Sequence, residues 1–335
     1  MTRRAEQAAL ERQRGGVATR PPAPAELITA RPVLSRQSLL DLQSSAGNAA
    51  VTAMLGASHG RAVQRDSLHD FLTSDPHHDP SRVTDAQIQA TDEYKAYMAK
   101  NPMPIPMRDI EPAEAMLACR LLLRDLRQAV VPFSIDDAML MRWLDVARSR
   151  GAMTGMAEGA VGTQSWVRVT SADVENPGAA DSDFTQWMLA GGAVPDARTG
   201  KFNCWEMVLF SAYRYGALSE AAMKGFYTRA KAQMTKSGDP YDFPRTLEKE
   251  LRGSAVQTYD PADKDSPRPL RGDLVIFKEA ASHVALATGN MVNGEVEVVS
   301  HWPPPDGKHT VKRTTIEDLL PEVGVKVAKF WGPSW

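Results

Sequence analysis

The first 66 residues lack aromatic side chains. No Phe, Trp or Tyr occurs before Phe71, whereas six of the seven Trp lie at or beyond Trp166. Aromatic side chains supply the largest burial per residue, so this part of the chain contributes little to a core. It also carries nine Arg, no Lys and five acidic residues, with four prolines in its first half. This composition predicts a largely disordered leader over residues 1–66.

Cysteine is also scarce, since the chain contains only Cys119 and Cys204. This count excludes a disulfide-dense secreted scaffold and a four-cysteine zinc site. It is compatible with a reduced compartment in which one thiol is used for chemistry. The formal net charge of −2 provides no general attraction to nucleic acid or to an anionic membrane. We therefore expect no nucleic-acid partner, and no motif calls for a metal or a cofactor.

A secretion signal and long apolar runs are missing as well. Residues 1–16 contain no apolar core of the length that a signal peptide needs. No apolar run approaches the roughly 18 residues that span a bilayer. We expect a soluble protein without a membrane span, cytoplasmic in the cell that makes it. Export would then use a route other than general secretion.

The remaining chain divides by composition into a polar linker (67–84), a helical segment (85–155) and a third region (156–335). Helical patterns cover residues 85–100, 111–130 and 134–150, and Cys119 falls on the buried side of the second, where core packing is expected. Later β-type runs cover residues 165–169, 273–277, 283–287, 295–299 and 325–330. Helices followed by closely spaced strands predict an α+β fold with an antiparallel sheet.

The segment around Cys204 carries the candidate chemistry. Gly200 and Asn203 favour a turn and a helix N-cap, and an apolar pattern of helical period follows up to Gly216. Cys204 is therefore expected in the first turn of a helix. There the helix dipole and free backbone amides stabilise a thiolate and lower the thiol pKa. The same amides, with the Cys204 N–H among them, form a candidate oxyanion hole.

A thiolate nucleophile needs a base that also protonates the leaving group, and histidine is the usual one. Three histidines follow Cys204 along the chain: His283, His301 and His309. If the strand that begins at His283 pairs antiparallel with the strand that ends near His301, the two rings meet at one end of the sheet. The second histidine would then orient the first. The alternative interpretation is a buried cysteine with histidines that merely cap the surface.

The order of these motifs resembles the NlpC-type branch of the papain-like cysteine peptidases, over roughly residues 184–331. The matching motifs are Asn203-Cys204-Trp205-Glu206-Met207-Val208, Arg271-Gly272-Asp273-Leu274-Val275-Ile276-Phe277, Ser282-His283-Val284-Ala285-Leu286 and Val298-Val299-Ser300-His301. The resemblance implies a papain-like catalytic domain with Cys204 as nucleophile, His283 as base and His301 as third member. Ser300 takes the third role if the register shifts by one residue.

The same resemblance suggests which residues border the substrate. Asn203, Trp205, Ser282 and Trp302 are the candidates for substrate contact or for the oxyanion hole. The chain departs from the family in having Trp205-Glu206 where small residues usually follow the nucleophile, which changes access to the thiol. It also carries an insertion over residues 225–269, which is either a lid or specificity element, or a plain surface excursion.

A second resemblance concerns residues 39–55. The motif Leu42-Gln43-Ser44-Ser45-Ala46-Gly47-Asn48-Ala49-Ala50-Val51 is similar to a segment found near the N-termini of proteins associated with bacterial contractile injection systems. It implies a loading signal that contacts a component of the injection apparatus, and delivery of a toxin into a target cell. Together the motifs predict a cysteine peptidase or amidase effector that acts on a peptide or protein amide. The alternatives are a deamidase, transglutaminase or acyltransferase, or a non-catalytic structural or adaptor component.

Overall fold

The computed structural model describes residues 68, 82–99, 110–128, 135–278 and 283–335. The predicted leader, its proposed loading signal and most of the predicted linker lie outside these residues, as does Ser282. Helices and an antiparallel sheet make up the described part, which confirms the predicted α+β class. None of the helices in this part is long and apolar enough to cross a membrane.

The helical segment contains four helices: α1 (Asp85–Ala90), α2 (Asp92–Met98), α3 (Pro112–Gln128) and α4 (Asp137–Gly159). The single helix predicted over 85–100 is two, because Thr91 ends α1 and its side chain caps α2 by accepting a hydrogen bond from the Tyr94 N–H. Helix α4 continues through Gly151, where the sequence predicted an end, because Met153 and Ala157 are buried beyond it. It therefore also passes residue 155, where we predicted a domain boundary.

The expected core role of Cys119 is confirmed. Its side chain is fully buried in a leucine-rich cluster formed mainly by α3 and α4. Burial raises the pKa of this thiol well above its ordinary value. Cys119 is therefore a small apolar core residue in the protein.

Six further helices follow: α5 (Ser171–Glu175), α6 (Asp183–Ala190), α7 (Cys204–Tyr215), α8 (Glu220–Ser237), α9 (Asp242–Leu251) and α10 (Ile316–Val323). Helix α7 packs against α4, and its first nine residues are all buried. The predicted insertion over 225–269 belongs to this core, because Tyr227 and Phe243 stack edge to face at 5.2 Å and Leu247 and Leu251 are buried. Helices α8 and α9 are therefore part of the core, and a role of the range as a lid or specificity element stays a prediction.

The main sheet has six strands, β3 (Gln257–Tyr259), β4 (Leu274–Phe277), β5 (His283–Val292), β6 (Glu295–Ser300), β7 (Lys312–Thr315) and β8 (Ala328–Trp331). Their order is β3-β8-β4-β5-β6-β7, and every neighbouring pair is antiparallel. The strand predicted over 165–169 is only the two-residue β1 (Ser165–Trp166), which pairs parallel with β2 (Lys201–Phe202) in a separate sheet.

The two faces of the main sheet carry different helices, and this arrangement places the candidate site. Val284, Leu286 and Val299 point toward the layer that contains α7. Phe277 and Ala285 belong to the opposite face, which packs against α10. Because side chains alternate along a strand, neighbouring residues of β5 and β6 serve different faces.

A buried ion cluster ties the helical segment to the sheet. Asp273, immediately before β4, accepts hydrogen bonds from Arg124 Nη1 at 2.6 Å and from Arg150 Nη1 at 2.9 Å. It also accepts from the Leu270 N–H at 2.8 Å. All three charged side chains are almost fully buried. Burial lowers the pKa of Arg150 to about 10, although Asp273 opposes that shift.

Candidate active site

The helix that carries Cys204 begins where the sequence predicted it. Asn203 is the N-cap, and its side chain accepts a hydrogen bond from the Glu206 N–H at 2.9 Å. The Glu206 carboxyl in turn accepts from the Asn203 N–H at 2.7 Å. This reciprocal pair is a capping box, and it fixes Cys204 in the first turn.

Glu206 is also the anchor of a buried polar cluster. Its carboxyl accepts hydrogen bonds from Ser182 Oγ at 2.8 Å and from Thr185 Oγ1 at 2.6 Å, both from the start of α6. Burial raises the pKa of Glu206 to about 7, against the effect of these hydrogen bonds. The N-termini of α6 and α7 are thereby held together. The capping position of Glu206 was recognisable from the sequence, whereas nothing local pointed to Ser182 and Thr185.

Cys204 does not have the lowered pKa that its position in the helix suggested. Its side chain is only 7% exposed, and Trp205 beside it is buried as well. Burial raises the pKa of the Cys204 thiol to about 11. The backbone amides of Val284 and Trp205 act in the opposite direction but do not outweigh burial. The prediction of a depressed thiol pKa is therefore wrong for this conformation, because it considered the helix end and not the layers packed over it.

His283 is the first residue of β5 and is almost completely buried. Its Nε2 lies 3.1 Å from Ser300 Oγ, within hydrogen-bond distance. Its ring stacks on Trp302, with ring centroids 4.9 Å apart, and also contacts Phe277 at 5.4 Å. Burial lowers the pKa of His283 to about 3, with further lowering by His301 and Lys312.

His301 directly follows β6 and is fully buried. Continuing the alternation of β6 places it on the side of Val299, toward α7. Its ring lies beside the Asn203 backbone, which favours the protonated ring. Burial nevertheless lowers the pKa of His301 to about 4, and Lys312 lowers it further.

Both imidazoles lie at the same end of the sheet, and they are close enough for His301 to lower the pKa of His283. They occupy opposite faces, however, and the side chain at hydrogen-bond distance from His283 is Ser300, the alternative third member. The reason is the two-residue turn Asn293-Gly294, in which Val292 pairs with Glu295. With this turn, odd-numbered residues of β5 pair with even-numbered residues of β6, as Ala285 does with Ser300. Paired residues share a face of the sheet, so His283 lies on the face of Ser300. The irregular pairing between Ala287 and Met291 does not change this parity.

Several imidazole nitrogens at this site have no partner. Among the described residues, His283 Nδ1 is buried without a hydrogen bond, and at most one nitrogen of the buried His301 ring has a partner, the Asn203 backbone. Buried polar atoms are normally paired, and exceptions often mark functional positions. Of the other candidates, Asn203 and Trp302 contact the histidines and Trp205 lies within the apolar core, whereas Ser282 lies outside the described residues. Lys312, whose charge lowers the pKa of both histidines, was not singled out from the sequence.

A separate cavity of about 880 Å³ lies near the C-terminal end of α7, away from the thiol. Its lining includes Tyr215, Arg271 and Thr288, and it does not include Cys204, His283 or His301. This cavity is thus not the candidate active site. A substrate would therefore have to reach Cys204 from another part of the surface.

The buried histidines make the stability of the protein sensitive to acid. Their pKa values of about 3 and about 4 lie below the ordinary 6.5, so below about pH 6.5 the unfolded chain binds protons that the folded chain does not. The free energy of unfolding therefore falls as the pH falls from about 6.5 toward 4. Glu206, with its pKa raised from 4.5 to about 7, has the opposite effect, since its contribution falls as the pH rises through that interval.

Urea denaturation between pH 4.5 and 7 measures this balance. We expect the double variant His283→Asn/His301→Asn to lose most of the acid-induced fall in stability, because the contribution of the histidines is gone and the opposing effect of Glu206 stays. His309→Asn, which replaces an exposed histidine, is the matched control and should keep the wild-type slope. An unchanged slope in the double variant would contradict the burial of neutral rings.

A scan against protein-family models and searches of curated proteins and of solved structures each returned no match.

Proposed function

We propose that the protein is a cysteine peptidase or amidase that cleaves an amide bond through a thioester on Cys204. The observation that carries this proposal is a pair of buried imidazoles with unpartnered nitrogens next to the first turn of α7: His301 lies beside Asn203, and the Val284 amide, one residue from His283, faces the Cys204 thiol. Each buried polar atom without a partner costs about 1–3 kcal/mol of stability. Such costs are concentrated at functional sites, where the unpaired atom is reserved for a substrate or for a proton.

The proposed reaction follows from these positions. Cys204 Sγ attacks the amide carbonyl carbon while its proton passes to an imidazole. The C–N bond then breaks as the imidazolium gives this proton to the leaving amine. Water attacks the thioester, the acid product leaves, and the thiol is restored. Backbone amides in the first turn of α7, the Cys204 N–H among them, are the candidate donors to the oxyanion.

The structure and the family resemblance favour different rings for the proton transfer. Continuing the alternation of β6 puts His301 on the side of Val299, which packs in the same layer as Cys204, and its ring lies beside Asn203 at the helix N-terminus. We therefore assign the proton transfer to His301. The resemblance assigns the proton transfer to His283, whose Nε2 lies at hydrogen-bond distance from Ser300 Oγ. Because thiol and imidazoles are neutral in this conformation, the proton moves as the sulfur attacks rather than in a preformed ion pair.

The burial of the thiol favours a second candidate function, in which the same thioester forms but an acceptor other than water takes the acyl group. Cys204 is only 7% exposed, and Trp205 adds apolar cover, so water is restricted around a thioester. An amine or alcohol from a target protein would then be the acceptor, as in a transglutaminase or acyltransferase. A deamidase would share the cysteine and imidazole but attack a side-chain amide.

The biological setting rests on the sequence alone. We propose that the enzyme is a toxin effector, made in the cytoplasm and carried by a contractile injection system through a signal in residues 1–66. That segment lies outside the described residues, so the loading signal stays a prediction. The enzymatic proposal does not depend on it.

The experiment is mass spectrometry of target-cell extracts incubated with the wild-type protein, His301→Asn and His283→Asn. A peptidase or amidase produces new termini or free amines, a deamidase converts side-chain amides to acids, and a transferase adds an amine or acyl group. We expect new termini with the wild-type protein. We also expect roughly a 100-fold or larger loss with His301→Asn, in the range of general acid–base catalysis, and a smaller loss with His283→Asn.

The reverse order of losses would return the base to His283 and overturn our assignment. Unchanged product formation in both variants would exclude imidazole catalysis. If no covalent change appears in any extract with the wild-type protein, the non-catalytic adaptor becomes the better interpretation.

A further inference from the structure

Lys312 is a nearly buried cation next to the candidate site. Its side chain is 8% exposed, and in the sheet it pairs with Ser300, the residue at hydrogen-bond distance from His283. Its ammonium donates a hydrogen bond to the Pro303 carbonyl at 2.7 Å and forms an ion pair with Asp306. Both partners belong to the segment that follows His301. We call residues 302–306 the Trp302 loop.

The base of this loop is connected to both imidazoles, since it follows His301 directly and contains Trp302, which stacks on His283. His301 and Trp302 are consecutive residues that directly follow β6, and their rings have different neighbours. His301 lies beside the Asn203 backbone, whereas Trp302 stacks on the His283 ring. If the chain moves at Pro303, we therefore expect His301, two residues earlier, to shift and the Trp302 ring to leave His283.

We propose that Lys312 is a positioning residue that latches the Trp302 loop, and that this latch closes the end of the sheet where Cys204 and the two histidines lie. The latch consists of the Lys312 ammonium, the Pro303 carbonyl and the Asp306 carboxylate. Because His301, at the root of this loop, lies beside Asn203, the residue before Cys204, opening the latch is expected to uncover the thiol. The proposal depends on the proposed function only for the use of the thiol, since access to Cys204 is measurable without any substrate.

The chain offers a closely matched control for this latch. Lys308 also contacts Asp306, at 3.3 Å, but its side chain is 72% exposed and the contact lies at the surface. Lys308→Met and Lys312→Met thus remove the same charge from the same loop region. Lys312→Met keeps the aliphatic length that fills the buried position, and Asp306→Asn removes the partner at a site that is 37% exposed.

The test is alkylation by iodoacetamide in the folded full-length protein, with the rate at each cysteine read from its peptide by mass spectrometry. Cys119, in a different part of the core, is an internal reference in every sample. We expect Cys204 to react about tenfold faster in Lys312→Met and in Asp306→Asn, as expected for the loss of a hydrogen bond between charged groups. Lys308→Met should react at nearly the wild-type rate, and Cys119 should not change.

A wild-type Cys204 rate in both Lys312→Met and Asp306→Asn would overturn the latch. Equal acceleration of Cys119 would overturn it too, because that result means general loosening. If Lys312→Met does not fold, Asp306→Asn decides the question alone. Faster alkylation together with no product in the extract assay would leave the latch standing and reject the proposed function. Product formation with unchanged alkylation would do the reverse.

Discussion

Cys204→Ser is expected to reduce product formation by roughly 10⁴-fold or more, the range seen when the nucleophile of a hydrolase is removed. The hydroxyl occupies nearly the same volume as the thiol, and the backbone amides of Val284 and Trp205 that face the sulfur can also face an oxygen. The melting temperature should therefore change little. Product formation in the extract assay and thermal unfolding of the same preparation measure the two effects.

Cys119→Ser is the matched control, since it makes the same chemical change at the other cysteine. Its side chain is fully buried in a mostly leucine-lined site, with Thr91 as a hydrogen-bond partner, so the more polar hydroxyl is buried largely among apolar groups. We expect lower stability, by about 1–3 kcal/mol, with unchanged chemistry in the folded fraction. A fully active Cys204→Ser protein would show that the nucleophile has been assigned to the wrong residue.

Asp273→Asn is expected to cause the largest loss of stability, about 3–5 kcal/mol in the free energy of unfolding. The substitution leaves Arg124 and Arg150 buried without the carboxylate that neutralises them. A neutral amide accepts at one oxygen only, so it cannot replace both ion pairs. Because this cluster joins α3 and α4 to β4, the effect should extend to the whole described core. Urea denaturation at neutral pH measures it.

Glu250→Gln provides the comparison for this prediction. It also removes a carboxylate paired with arginine, but the partner, Arg229, is about half exposed. Solvent screens such a pair, so its removal should cost far less than that of Asp273. Similar effects of the two substitutions would contradict the special role assigned to the buried cluster.

The parts of the site that depend on local sequence were predictable. Asn203 is an N-cap residue ahead of an apolar pattern of helical period, and this signal placed Cys204 in the first turn, as the structure shows. Closely spaced strand-like runs also predicted an antiparallel sheet, and β5 and β6 do pair antiparallel at the histidine end. These features need only neighbouring residues, and the structure agrees with them.

The parts that depend on distant residues were not predictable in the same way. The thiol pKa is set by the layers packed over α7, and the expectation from the helix end alone had the wrong sign. The opposite faces of His283 and His301 follow from the Asn293-Gly294 turn, whose Asn-Gly sequence is a known hairpin signal and could have revealed the parity. Lys312 carries no local signal, because its role comes from the return of β7 beside β6.

Strand β8 lies between β3 and β4, although it comes after every other strand along the chain. The hairpins from β4 to β6 pair residues that are close in sequence, whereas β8 returns from beyond α10 to reach its position. Pairing between such distant segments forms slowly. Until it forms, the edge of β4, a run of four buried apolar residues, is open to pairing with another chain. Protein concentration during refolding should therefore determine how much of the chain reaches the native state.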